Sequence, residues 1–112
     1  MLDFQKLDVY RCASALAAIT VDVIAEMPRG YAKLADQLNR ASTSMVLNIA
    51  EGCGKTSARD KKNYFAIARG SAMECAAMFD VLEQRDLVTG DEYDEALELA
   101  ERTVAMLTKM CR

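Results

Sequence analysis

Four successive stretches of the chain carry five or six apolar residues spaced three or four apart, and only short breaks separate them. Few folds satisfy that constraint. In the first stretch Val9, Ala13, Leu16, Ile19, Val23 and Met27 fall on one face of a 3.6-residue helix, so a helix is predicted over about 8–27, stopped by Pro28-Arg29-Gly30. Leu34, Leu38, Ala41, Met45 and Ile49 predict a second over about 31–51, with Gly52 expected as a left-handed stop. Ser57, with Asp60 three residues on, is a capped start for a third over about 57–85, striped by Phe65, Ala68, Ala72, Cys75, Phe79 and Leu82. Thr89-Gly90-Asp91-Glu92 reads as a capping box opening a fourth over about 90–111, striped by Tyr93, Leu97, Ala100, Val104, Leu107 and Cys111.

Connections of a few residues cannot carry the chain to the far side of a bundle, so consecutive helices must be antiparallel neighbours. The expected fold is all-α, an antiparallel up-down-up-down four-helix bundle forming a single domain over residues 1–112. Alternating β-branched runs and Asn-Gly or Asp-Gly hairpin signals are absent, which leaves a sheet nothing to be built from. The most apolar run, Cys12 to Ala25, is interrupted by Ser14, Thr20 and Asp22, and no membrane span is expected.

Composition narrows the chemistry. The chain has no histidine, and its four cysteines, Cys12, Cys53, Cys75 and Cys111, are widely separated, so neither a zinc site nor another metal or cofactor site is expected. Free thiols among alanines, with no secretory leader in view, point to a reducing cytoplasm. Cys53, in a Gly-Cys-Gly segment followed by Lys55, reads either as an exposed, partly reactive thiol or as an inert turn residue. Net charge is −3 but uneven: residues 29–69 hold eight basic and three acidic side chains, and residues 70–112 hold four and ten. Lys55, Arg59, Lys61 and Lys62 cluster about the start of the third helix, where the positive dipole end adds to their charge and a phosphate backbone could dock, with Tyr64 beside them as a stacking face. Solvated charges that pair with the acidic ends of the molecule would look the same in sequence.

A polar stripe runs beside the apolar one on the second helix: Gln37, Arg40, Ser44, Asn48 and Glu51 share a narrow arc at 100° per residue. On the third helix Gly70-Ser71-Ala72 lacks bulk, so a neighbouring backbone is expected to approach closely there, and Glu74 one turn on needs a partner, for which Arg40 is the candidate. A polar network of Gln37, Arg40, Ser44, Asn48, Glu51, Ser71 and Glu74 at a helix or subunit contact is the expectation. The segments Phe4-x-x-Leu7-x-Val9-Tyr10, Gln37-Leu38-x-Arg40-Ala41-x-x-Ser44-x-x-x-Asn48-Ile49-Ala50-Glu51-Gly52 and Phe65-x-x-Ala68-x-Gly70-Ser71-x-x-Glu74 resemble the bacterial 23S ribosomal RNA intervening-sequence protein family over nearly the whole chain. The resemblance implies a small cytoplasmic four-helix bundle assembling as a homopentameric ring, with an RNA-binding role inferred from gene location rather than from mechanism.

Apolar residues off the main stripes, Val46, Leu47, Ile67 and Met73, independently call for an oligomer. Three functional classes are consistent with these residues: a non-enzymatic homo-oligomer contacting RNA or DNA through its basic middle region, a protein-protein adaptor of the same assembly, and a carboxylate-based metal-dependent enzyme using Glu51, Glu74 and Asn48.

Overall fold

The computed structural model describes residues 1–112, of which 86% are helical, with no strand. Helix α1 spans Asp8–Glu26, α2 Ala32–Cys53, α3 Ala58–Gln84 and α4 Gly90–Met110; short 3-10 turns at Asp3–Lys6 and Arg29–Tyr31 precede α1 and α2. Local chemistry sets several of these ends. The Ser57 hydroxyl accepts the Asp60 N–H at 3.1 Å, and Thr89 and Glu92 make the reciprocal capping-box pair at 3.1 and 2.8 Å. Each helix packs on its neighbours in the chain, and α1 closes the ring against α4, in a molecule 43 × 26 × 23 Å across. This is the antiparallel four-helix bundle that the short connections require.

One core of 18 buried residues runs down the middle, and the predicted α3 stripe lies in it entire. On α4 the predicted Ala100 and Leu107 are buried together with Ala96 and Thr103, which the stripe left out, while Tyr93, Leu97, Val104 and Cys111 are half-buried along its edges. Threonines and serines join the interior because each can return its hydroxyl to its own helix. Thr103 donates to the Leu99 carbonyl at 2.8 Å and Thr20 to that of Ala17 at 2.7 Å. Ser42 donates to Asn39 O at 3.1 Å, and its Oγ lies 3.2 Å from Thr20, tying α1 to α2.

Two helix ends depart from the sequence expectation. No glycine has positive φ, and Gly52 continues α2 instead of stopping it. The left-handed residue is Asp86, φ 58°, which lets Leu87 N–H reach back to Leu82 O at 2.9 Å and closes α3 in a Schellman turn without glycine. Aspartate tolerates that conformation better than most residues.

Candidate functional site

The seam between α2 and α3 gathers most of the polar stripe. Ser71 Oγ on α3 donates to Ser44 Oγ on α2 at 2.9 Å, and Asn48 Nδ2 donates to the same oxygen at 3.1 Å and to the Ser44 carbonyl at 2.8 Å. Further along, Gln37 Nε2 donates to Glu74 Oε2 at 3.3 Å. Arg40 does not meet Glu74. Its Nε lies 3.0 Å from Asp36 Oδ2, one turn back on α2, and both side chains are well exposed, at 80% and 60%. Arg40 sits farther round the helix than Gln37 and Ser44, so an i,i+4 partner on its own helix is nearer than anything on α3. The pair is worth about 1 kcal/mol or less within one protomer, not the several kcal/mol of a buried pair. Glu51 likewise stays on its own helix, 3.4 Å from Lys55 Nζ.

The basic cluster at the α2–α3 connection divides into two kinds of residue. Lys61 Nζ donates to the carbonyls of Gly52 and Cys53 at 3.4 and 3.2 Å, so its charge caps the C-terminus of α2. Lys55 pairs with Glu51 and stands 5.1 Å over the Tyr64 ring, and its pKa is raised, chiefly by the hydrogen bond to Glu51. Arg59 and Lys62 are exposed and enter no ion pair. Two of the four predicted phosphate contacts therefore hold the fold together, and two face solvent. Burial pushes the thiol pKa of half-buried Cys53 up, against the lowering by Lys61, which favours the inert of its two readings.

The 23S rRNA-intervening sequence protein family matches residues 5–109. The chain belongs to that family. Among solved structures, a protein of unknown function from the S23 ribosomal protein family of Bacteroides thetaiotaomicron is similar at 20% identity, covering 93% of this chain and 98% of that one with a TM-score of 0.83. At that identity the likeness shows a shared fold. A comparison with curated proteins finds no match.

Close approach in this family member comes at a different glycine from the one its sequence suggests. A Cβ on Gly70 would have nothing within 4 Å, whereas one on Gly52 would stand 2.6 Å from Cε1 of Phe65, a buried ring in the first turns of α3. Gly52 thus lets the end of α2 lie flat on Phe65 and brings its carbonyl within reach of Lys61, which joins the polar seam to the basic connection. Gly52→Val is expected to cost about 2 kcal/mol by overpacking, and less in a Phe65→Leu background, where there is room for the methyls. Urea denaturation of the four proteins in that cycle measures the coupling.

Sequence reasoning left several partners out. Arg69 Nε donates to Thr108 Oγ1 at 2.8 Å across α3 and α4, and the Tyr93 hydroxyl donates to Asp80 at 2.6 Å. Both contacts lie between helices, where sequence spacing gives no signal. Val46, expected off the core, packs against it, while Val21 on α1 is 64% exposed. No helix is long and apolar enough to cross a membrane.

Proposed function

We propose that the protein is a non-enzymatic homo-oligomer, a pentameric ring in keeping with the family resemblance, which presents the α2–α3 connection of each copy to RNA. The outer surface of α2 and α3 carries this reading. Leu47 and Ile67 are 60% and 51% exposed, and Gly70, exposed on α3, has open space where a Cβ would stand. A glycine in mid-helix costs about 0.5–1 kcal/mol relative to alanine, and no contact within the protomer requires it. A neighbouring copy closing on this face does. Ring assembly uses two different surfaces per protomer, and the apolar groove between α3 and α4 walled by Met73, Ala76, Ala100 and Val104 supplies the second.

Arg59 and Lys62 are the cations left for phosphate at the connection, since Lys55 and Lys61 are engaged with the protein itself. The acidic side chains of α4, from Asp91 to Glu101, lie toward the opposite end of the bundle, so a polyanion meets less repulsion at the connection.

Light scattering at micromolar concentration is expected to return a mass near five chains, falling to one chain for Leu47→Glu plus Ile67→Glu with helicity retained. A monomer mass for the unaltered protein overturns the assembly. Binding to single-stranded RNA is expected to fall steeply with salt and to weaken about tenfold or more in Arg59→Glu plus Lys62→Glu. No binding at low salt removes RNA as the partner and leaves a protein-protein adaptor of the same assembly.

A further inference from the structure

At the end of the bundle opposite the α2–α3 connection, a cleft of about 510 Å³ opens between the Arg29–Tyr31 turn, the first turn of α2 and the end of α3. That volume falls within the range of about 300–1,000 Å³ common to small-molecule sites. Its charged lining is of one sign. Arg29, Lys33 and Arg85 line it with no carboxylate among them, and Tyr31, Leu34 and Gln37 complete the wall. The chain's ion pairs are Arg40 with Asp36 and Lys55 with Glu51, so none of the three cations is committed to an acidic neighbour. None of them donates a side-chain hydrogen bond, in contrast to Lys61 and Arg69, whose polar heads hold helices together.

Three uncommitted cations drawn from three separate elements repel one another across the cleft, and an anion among them reverses the sign of that energy. Two guanidinium groups favour an anion with several acceptor oxygens, which each can engage in a forked pair. The dipole of the 22-residue α2, whose first turn Ala32-Lys33-Leu34 lies in the wall, acts in the same direction. Tyr31 and Leu34 are half-buried and give the cleft an apolar side beside its cationic one. We propose that this cleft binds the terminal phosphate monoester of a nucleotide, with the phosphate among Arg29, Lys33 and Arg85 and the base against Tyr31 and Leu34.

The site lies at the far end of the bundle from Arg59 and Lys62, so it stands or falls separately from RNA contact at the connection. Titration calorimetry of the full chain with adenosine monophosphate is expected to show saturable binding, with adenosine binding much more weakly. Arg29→Gln and Arg85→Gln should each weaken the nucleotide about tenfold or more. Arg59→Glu plus Lys62→Glu should leave it unchanged. Since Arg29 and Arg85 are exposed, these variants should melt as the parent does. Competition by a 5′-phosphorylated oligonucleotide but not its 5′-hydroxyl form would support the site and assign the monoester to an RNA end; competition by neither would support a free nucleotide. Absence of saturable binding into the millimolar range, adenosine binding as well as the monophosphate, or arginine variants that bind like the parent would each overturn it.

Discussion

Phe79→Ala is expected to lower the unfolding free energy by about 3–5 kcal/mol. Phe79 is the largest of the fully buried side chains and lies in the second half of α3, the helix whose apolar stripe is buried along its whole length. Truncation removes the transfer energy of the ring and leaves a cavity, and the two losses add because a close-packed bundle relaxes only partly into the gap. A domain of this size is stable by about 5–15 kcal/mol, so the loss is a large fraction of the total. Urea unfolding followed by circular dichroism should show the midpoint fall with the slope preserved. Ile67→Ala provides the control: on the same helix but half exposed, it should cost well under 1 kcal/mol in the isolated protomer while weakening the oligomer. A small effect at Phe79 would mean that the bundle repacks around the hole.

The contrast between those residues marks how far the sequence was legible. Periodicity placed Phe79 and Leu16 inside and Leu47 and Ile67 outside, because helical spacing alone assigns a face once one stripe is known. On α4 it found Ala100 and Leu107 but missed Ala96 and Thr103, since a reading by hydrophobicity ranks leucine above alanine and passes over threonine. Burial there follows which face the helix turns inward, and an alanine or threonine on that face is buried as fully as a leucine. The same limit governs the α2–α3 seam. A shared arc on one helix picked out Gln37, Ser44 and Asn48, and Ser71 and Glu74 do meet them. Arg40 belongs to the outer edge of that arc, and a difference of some tens of degrees in its position sends it to Asp36. Lys61 was legible as a charge but not as a cap, because its carbonyl partners are eight and nine residues away across a turn. A helix end that another helix caps leaves no local signature. For the same reason Gly52 read as a stop, when its missing side chain makes room for Phe65.

Cys75 should make the fold lose stability steeply in alkali. It is fully buried on α3 and next in sequence to Glu74; burial first, and that carboxylate second, push its thiol from 9.0 up to about 12. The neutral thiol is therefore the form the fold favours. Below pH 9 folded and unfolded chains both hold the proton, and the stabilisation is fully present. Between pH 9 and about 12 the unfolded chain releases the proton while the folded chain keeps it, so stability falls as pH rises, by up to about 4 kcal/mol for a shift of this size. Tyr93 acts in the same direction from pH 10 upward: its hydroxyl donates to Asp80, which with partial burial raises its pKa to about 12. The comparison is made between variants, so that contributions common to all of them cancel. Urea midpoints of the reduced protein, Cys75→Ala and Tyr93→Phe are to be measured from pH 8.5 to 12. Cys75→Ala should begin less stable at pH 8.5, from the volume it loses, and then decline with a distinctly shallower slope, so that the gap to the parent narrows or reverses near pH 12. Tyr93→Phe should flatten only the part above pH 10. Equal slopes for Cys75→Ala and the parent would mean that water reaches the sulfur, and that the centre of α3 is less tightly sealed than Phe79, Leu82 and Ala72 around the same stripe require.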